Sequence, residues 1–167
     1  MLALMMVSVK SEIIHSHHQR SCLGTESNVP ASGDLALVAQ CDSTDGTQNK
    51  WVINTLSGSS TPTSTDIVQI CIQGTSLCLK TINTDPTDPG LDNFRNNPTV
   101  QLATQDSTDQ SQQWTVNAST RVPDKGLSTY VNVMTNGCLM THGSSRKGII
   151  STQTCRDGNR RQLWAVS

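Results

Sequence analysis

The sequence predicts an all-β protein built from three similar units, each with about four strands. Three observations support this fold class: each of the three tryptophans closes a copy of one short motif, a Cys-Leu pair recurs upstream of each tryptophan, and an apolar–polar alternating run lies between the two. Alternation with a period of two is typical of half-buried strands, and no window shows the 3.6-residue period of a helix. A chain of 167 residues with this repetition suits one domain.

The three markers recur in the same order in every unit. The tryptophan motif carries an amide residue two positions before the tryptophan, in the copies Asn49-Lys50-Trp51, Gln112-Gln113-Trp114 and Gln162-Leu163-Trp164. The Cys-Leu pairs are Cys22-Leu23, Cys78-Leu79 and Cys138-Leu139, and the alternating runs cover 35–41, 99–105 and 148–155. We therefore expect a single domain over 12–167, with repeats at about 12–58, 64–118 and 126–167.

Two segments, 66–81 and 128–141, are predicted to form β-hairpins. Their turns contain Gly74 and Asn136-Gly137, the residue types that most readily adopt positive φ. In the first hairpin we expect a two-residue turn at Gly74-Thr75.

Polar stretches with proline and glycine, at 57–64 and 118–126, are predicted to be loops between the units. The segment 83–98 contains three prolines and is predicted to be a loop inserted into the second unit.

The six cysteines fit the repeat as disulfides. Cys22 with Cys41, and Cys138 with Cys155, occupy the same two markers in units one and three, so one bridge across each of these units is the economical pairing. Unit two has Gln105 at the second marker. Cys78 is left with Cys71, which faces it across the predicted hairpin. Facing Cβ atoms there are about 4.5–5.5 Å apart, slightly more than a disulfide requires, so the sequence does not decide whether this bridge forms.

The segment Asp-Ser-Thr-Asp occurs twice, at 42–45 and 106–109, shortly before Trp51 and Trp114. Two interpretations are possible: a turn, or aspartates that bind calcium or sugar. We favour the turn, because Asp and Ser side chains bond to backbone two residues further along the chain.

The composition limits the class of partner. A net charge of −1 gives no electrostatic case for nucleic acid or for an anionic membrane surface. Residues 1–11 are apolar but too short to span a bilayer, and two interpretations stay open: a signal remnant or N-terminal extension, and a plain first strand. The paired cysteines and an Asn117-Ala118-Ser119 sequon favour a secreted, extracellular protein without membrane insertion.

No residue pattern predicts catalysis, a cofactor or a metal. The acidic residues lie in polar turns without an apolar surround, and no G-x-S-x-G segment occurs, so we expect no enzyme. His15 and His17 would share one strand face, with His18 beside them, but we expect no carboxylate or cysteine nearby to complete a set of metal ligands. We interpret this cluster as a solvated strand edge.

The Cys-Leu openings and the Q-x-W endings, over about 12–167, resemble the ricin B-type lectin family, the Q-x-W or family-13 carbohydrate-binding modules. The resemblance implies a β-trefoil with pseudo-threefold symmetry, in which six strands form a barrel and six form hairpins. It also implies that the tryptophans lie in the core, that the motif's amide side chains hold neighbouring turns, and that the protein binds glycans without catalysis.

The sequence departs from the family's galactose-binding pattern in every unit. The family's Asp, two residues after the Cys of the Cys-Leu pair, is replaced by Gly24, Lys80 and Met140. The family's Gln position holds Leu37, Gln101 and Ser151 in units one, two and three. Its aromatic position holds Ala39, Ala103 and Gln153. Its Asn position holds Gln48, Ser111 and Arg161. Only Gln101 matches the pattern, which makes unit two the best candidate for a site.

The resemblance and the residue types together give a list of candidate sugar-binding residues. Near Gln101, the inserted loop offers carboxylates, amides and the chain's one phenylalanine, which would bind or pin the loop to the barrel. The candidates are Gln101, Asp85, Asp88, Asp92, Asn93, Phe94 and Asn97 in unit two, and His142 and Gln153 in unit three.

We predict a glycan-binding lectin with shallow sites, in which several sites or a homo-oligomer would supply avidity. Two alternatives stay open. One is a trefoil that has lost sugar binding and acts through a protein surface as an inhibitor or effector. The other is a polysaccharide-targeting module of a larger enzyme.

Overall fold

The computed structural model describes residues 12–17, 21–41, 50–56, 66–82, 100–118, 126–142 and 148–167. These residues form three units of four strands. Unit one has β1 (Ile14–Ser16), β2 (Ser21–Thr25), β3 (Ala36–Ala39) and β4 (Trp51–Thr55). Unit two has β5 (Ile67–Ile72), β6 (Leu77–Thr81), β7 (Val100–Thr104) and β8 (Trp114–Ala118). Unit three has β9 (Leu127–Asn132), β10 (Gly137–His142), β11 (Ile149–Thr154) and β12 (Trp164–Val166).

The first and fourth strands of the three units form a closed barrel. Antiparallel pairing runs β1–β12–β9–β8–β5–β4. The ring closes through Glu12 and Trp51, whose backbone amides each donate to the other residue's carbonyl oxygen at 2.8 Å. Closure leaves these six strands no free sheet edge.

The second and third strands of each unit form a hairpin: β2 with β3, β6 with β7, and β10 with β11. The hairpins contact one another through backbone bonds, from the Val38 amide to the Gly148 carbonyl at 2.7 Å and from the Leu102 amide to the Asp34 carbonyl at 2.7 Å. The threefold strand order predicted from the markers is therefore the order of the structure.

In the core of each unit, a hydrogen bond joins the tryptophan to the Cys-Leu pair. Trp51, Trp114 and Trp164 are fully buried. Each indole Nε1 donates to the carbonyl of the leucine in the Cys-Leu pair of the same unit: Leu23 at 2.9 Å, Leu79 at 3.5 Å and Leu139 at 2.9 Å. A buried indole needs such an acceptor. The two markers recur together because this hydrogen bond joins the fourth strand to the second.

The motif's glutamines hold the turn that precedes each tryptophan strand in units two and three. Gln112 Oε1 accepts from the Asp106 amide at 3.1 Å, and its Nε2 donates to the Thr104 carbonyl at 3.0 Å. Gln162 repeats both bonds, to the Arg156 amide and to the Thr154 carbonyl, each at 2.9 Å. Both glutamines are buried, so their amides satisfy backbone groups that water does not reach.

Three disulfides join Cys22 to Cys41, Cys71 to Cys78, and Cys138 to Cys155. The first and third bridge the second strand of a unit to the residues that follow its third strand. The second bridges facing residues of a hairpin, with its Cα atoms 3.9 Å apart. The pairing left open for unit two is therefore formed.

The turn of the β5–β6 hairpin differs from the prediction. Strand β5 ends at Ile72 and β6 begins at Leu77, so the connection is the four-residue loop 73–76 and not a two-residue turn. Thr75 closes it, since its amide donates to the Ile72 carbonyl at 3.2 Å. Gly74 has φ 76° and Asn136 in the third unit has φ 54°, as expected for these residues, whereas Gly137 does not adopt positive φ.

Candidate functional site

The strand register identifies equivalent positions in the three hairpins. The residue two after the cysteine of each Cys-Leu pair faces a residue on the third strand, in the pairs Gly24–Leu37, Lys80–Gln101 and Met140–Ser151. Directly opposed residues of an antiparallel pair extend to the same face of the sheet. These three pairs are the same location repeated three times around the molecule.

In unit two this location is charged and open to solvent. Lys80 Nζ lies 3.0 Å from Asp109 Oδ2, and the two side chains are 33% and 26% exposed. Gln101, the partner of Lys80 across the hairpin, is also partly exposed. We call Lys80, Gln101 and Asp109 the unit-two face. It presents an ammonium, an amide and a carboxylate within one small surface.

The carboxylate of Asp109 is held in place by the turn that contains it. Asp109 caps the short 3-10 helix Gln110–Gln112, and its Oδ1 accepts from the Ser111 amide at 2.9 Å. Its hydrogen bonds with Ser111 and then its contacts with Lys80 outweigh burial and lower the pKa of Asp109 to about 2. The group is therefore ionised and preoriented at neutral pH.

The other aspartate of this copy of Asp-Ser-Thr-Asp is also a turn residue. Asp106 Oδ1 accepts from the Thr108 amide at 2.8 Å and from its hydroxyl at 2.7 Å, and these bonds lower the pKa of Asp106. The segment is a turn, as expected, although Asp109 also contributes to the unit-two face. The first copy, at 42–45, lies outside the described residues.

In unit three the equivalent location is closed. Met140 is only 8% exposed, Ser151 is fully buried, and Asn159, which takes the place of Asp109, directs its Nδ2 at Met140 Sδ over 3.6 Å. Unit one offers no polar pair there, because Gly24 is buried and faces the apolar Leu37. Of the described residues, only those of unit two present ionised groups at this location.

The two candidate residues of unit three lie away from any shared polar surface. His142 is buried at the end of β10 and hydrogen-bonds through Nε2 to Ser151 Oγ. Burial, and then the nearby Arg161, lower the pKa of His142 to about 4, so the ring is neutral at neutral pH. Gln153 is partly exposed and faces Cys138, and its Nε2 is buried without a hydrogen-bond partner among the described residues.

The structure also contains a cleft of about 230 Å³ between units two and three, which the sequence did not reveal. It lies beside the Cys138–Cys155 disulfide, where β9 carries the short side chain of Thr129. The equivalent residue of β5, Gln69, is fully buried and bonds to the Asp106 carbonyl at 2.8 Å. The lining residues include Asn117, Thr129, Val131, Arg156, Asp157 and Gln162.

The prediction for His15 was wrong in one respect. Strand β1 places His15 opposite Cys22, and its Nδ1 lies 3.4 Å from the sulfur of Cys22 and 3.4 Å from that of Cys41. His15 was expected to lie on a solvated strand edge without a cysteine nearby, but two sulfurs lie beside its ring. His17 follows the strand in a turn, and His18 lies outside the described residues.

Six candidate residues of unit two lie outside the described residues, as does Asn49 of the first tryptophan motif. The six are Asp85, Asp88, Asp92, Asn93, Phe94 and Asn97. Sequence reasoning found Gln101 but missed Lys80 and Asp109 as a pair. The sequence did contain an indication of this pair. When units two and three are aligned, the oppositely charged Lys80 and Asp109 replace the uncharged Met140 and Asn159.

Comparison with known proteins supports the fold. No family model matches the sequence, and no curated protein matches it significantly. Among solved structures, the chain resembles ThreeFoil, a designed threefold-symmetric protein, with TM-score 0.73, 14% identity, and coverage of 93% of this chain and 96% of that one. It resembles the BEL β-trefoil with TM-score 0.67, 10% identity, and coverage of 96% and 92%.

A third similar structure is the lectin of Polyporus squamosus, bound to the human-type influenza-binding epitope Neu5Aca2-6Galb1-4GlcNAc. The TM-score is 0.67 and the identity 12%, over 95% of this chain and 48% of the lectin, so this chain spans about half of that lectin's length. These likenesses confirm the fold as a β-trefoil. In the described part of the chain, no helix is long and apolar enough to cross a membrane.

Proposed function

We propose that the protein is a ricin B-type lectin that binds glycans without catalysis, through the unit-two face. The observation that carries the proposal is the contrast between equivalent positions: the location is ionic and half-exposed in unit two, lacks a polar pair in unit one, and is closed in unit three. A β-trefoil neighbour that is a lectin supports the class of function.

The chemistry of the unit-two face suits sugar hydroxyls. An ionised carboxylate accepts hydrogen bonds, an ammonium donates them, and the Gln101 amide does both, so the three groups can bind adjacent hydroxyls in one orientation. Because Asp109 is fixed by Ser111 and Lys80, little side-chain freedom is lost on binding. A shallow face of this kind would give a dissociation constant of roughly 10⁻³ to 10⁻⁵ M, about 4–7 kcal/mol.

The segment 83–98, which the sequence predicts to be a loop, is a candidate source of an apolar contact for the sugar ring. It carries Phe94 in the sequence and leads directly into the strand that contains Gln101. We propose that Phe94 supplies the apolar face, and that Asp85, Asp88, Asp92, Asn93 and Asn97 supply further polar groups.

A glycan array tests this proposal. We would screen the oxidised protein beside the double variant Lys80→Met with Gln101→Ser, which copies Met140 and Ser151 of unit three into unit two. We expect a defined glycan to bind the native protein and to bind the variant at least about tenfold more weakly. The matched control is Arg161→Ser, which places the serine of the equivalent unit-two position, Ser111, at an exposed position of unit three and leaves the unit-two face intact.

Three results would be informative. If the double variant binds the glycan as tightly as the native protein, the protein is a lectin but its site is not the unit-two face. The cleft beside Thr129 would then be the next candidate site. Equal loss in the double variant and in Arg161→Ser would indicate a general effect on the fold. A blank array from folded protein would overturn the lectin proposal and favour the alternative of a protein-binding inhibitor or effector.

A further inference from the structure

One position on the first strand of each unit lies directly against that unit's disulfide. The register pairs His15 with Cys22, Cys71 with Cys78, and Val131 with Cys138. In unit two this residue is itself half of the bridge, and in unit three it is apolar. Only unit one, within the described residues, combines two cysteines and a third residue that can bind a metal.

The three side chains of unit one already converge. The ligand atoms of His15, Cys22 and Cys41 lie within 4.8 Å of one another, and His15 Nδ1 is 3.4 Å from both sulfurs. In a tetrahedral zinc site, with Zn–N about 2.0 Å and Zn–S about 2.3 Å, the nitrogen–sulfur edges are about 3.5 Å long. Both nitrogen–sulfur distances of the oxidised protein therefore fit such a site.

The orientation of the imidazole is also suited to metal binding. His15 Nε2 lies 2.6 Å from Ser167 Oγ, on the side of the ring away from the sulfurs. When Nε2 carries the proton and donates it to this hydroxyl, the Nδ1 lone pair is directed at the two sulfurs. A hydrogen bond of this kind to the second ring nitrogen fixes the tautomer of most metal-binding histidines.

We propose that His15, Cys22 and Cys41 form a redox-gated site for Zn²⁺ or a similar thiophilic cation. The site is closed while the cysteines form their disulfide and opens when that bond is reduced. The fourth position is left to water, an arrangement found where zinc has three protein ligands. The inference does not depend on glycan binding.

The gating step consumes a two-electron reductant, here a dithiol. The dithiol is oxidised to its own disulfide, the Cys22–Cys41 bond breaks, and each cysteine gains one proton as a thiol. The cation then displaces both protons and binds two thiolates. The sulfurs must separate to about 3.8 Å, the sulfur–sulfur edge of such a site. Cys41 can supply the movement, because it lies beyond the end of β3 and is partly exposed.

The test uses Co²⁺ as a spectroscopic substitute for Zn²⁺ on the full chain. The protein is treated with limiting dithiol and desalted without oxygen, and alkylation with mass spectrometry identifies the cysteines that have opened. Near-ultraviolet circular dichroism establishes that the reduced protein stays folded. We expect one Co²⁺ per chain with a thiolate-to-cobalt charge-transfer band, and Zn²⁺ should displace it.

Two variants make the result specific to unit one. His15→Val copies Val131 of unit three, keeps the cysteines, and should weaken cobalt binding roughly tenfold or more. Cys138→Ala with Cys155→Ala removes the equivalent bridge of unit three and should leave the cobalt site unchanged. Comparison of the oxidised variants in urea checks that each one folds.

The proposal is overturned if protein with Cys22 and Cys41 opened binds no Co²⁺. It is equally overturned if His15→Val binds Co²⁺ as tightly as the native chain, or if loss of the unit-three cysteines abolishes the band. Failure of reduction to open Cys22–Cys41 while the trefoil remains folded would also contradict it, because the gate could then not operate.

Discussion

In unit two, Lys80 forms an ion pair with Asp109 at a half-exposed surface, whereas in unit three the same positions hold Met140 and Asn159, and Met140 is buried. Beneath these positions the two units are alike: a buried tryptophan bonded to the leucine of the Cys-Leu pair, a buried glutamine that holds the preceding turn, and a capped 3-10 helix. The difference shows that the framework determines where a side chain lies, and that substitutions at these positions determine which unit presents ionised groups to solvent.

The largest expected effect on the free energy of unfolding comes from the buried tryptophans, which units two and three have in common. Trp114→Ala and Trp164→Ala each remove a fully buried ring and its hydrogen bond, so each should lower the free energy of unfolding by about 3–5 kcal/mol. Urea unfolding of the oxidised variants measures this. A much larger loss for one tryptophan than for the other would show that the two frameworks are not equivalent.

The next effect concerns His142, which is buried in unit three. Its folded pKa of about 4 lies below the unfolded value near 6.5, so the unfolded chain takes up a proton first as the pH falls. The stability contributed by the neutral ring is complete above about pH 6.5 and is lost as the pH falls to about 4. The full change is roughly 3 kcal/mol.

The variant His142→Asn isolates this effect from other titrating groups. We expect the difference in unfolding free energy between the native chain and this variant to shrink across that window, measured in urea at several pH values. Parallel pH profiles for the two proteins would mean that His142 does not titrate as its burial requires.

The smallest effects come from exchanging the surface pairs. Lys80→Met with Asp109→Asn should change stability by less than about 1 kcal/mol at pH 7, because the ion pair is partly exposed and screened by solvent. The reverse exchange, Met140→Lys with Asn159→Asp, should cost roughly 1–3 kcal/mol, because it places a charge at a buried position. Equal costs in urea would contradict the contrast between an open and a closed location.

The pH dependence of the unit-two pair has a predictable sign. The pKa of Asp109 is depressed to about 2, so its contribution is present above the unfolded value near 3.9 and is lost as the pH falls toward 2. Any difference between the native chain and Lys80→Met with Asp109→Asn should therefore diminish in acid. A difference that grows below pH 4 would show that the ion pair does not stabilise the fold.

Much of the fold was predictable because its markers are residues with one dominant structural role. Trp51, Trp114 and Trp164 must be buried, and Gly74 and Asn136 must adopt unusual φ. The length of the 73–76 loop was not predictable, because a two-residue turn and a four-residue loop centred on Gly74-Thr75 place Cys71 and Cys78 opposite each other equally well.

The candidate site was less predictable because it depends on contacts between distant segments. Lys80 and Asp109 lie on different elements, and only the turn that Gln112 holds brings the carboxylate to the ammonium. His15 meets two sulfurs because β1 pairs with β2 in one particular register and because the Cys22–Cys41 bridge brings the second sulfur to the first. The residue types indicated the chemistry of each side chain, but the strand register and the turns determined which side chains contact one another.

The most direct test of the central claim is a nuclear magnetic resonance titration of the isotope-labelled oxidised protein with the best glycan from the array. We expect chemical-shift changes concentrated in unit two, at Lys80, at the Gln101 side-chain amide and around Asp109, with the signals of Met140 and Asn159 unchanged. Shift changes confined to unit three, or no changes at glycan concentrations above about 10⁻³ M, would contradict it.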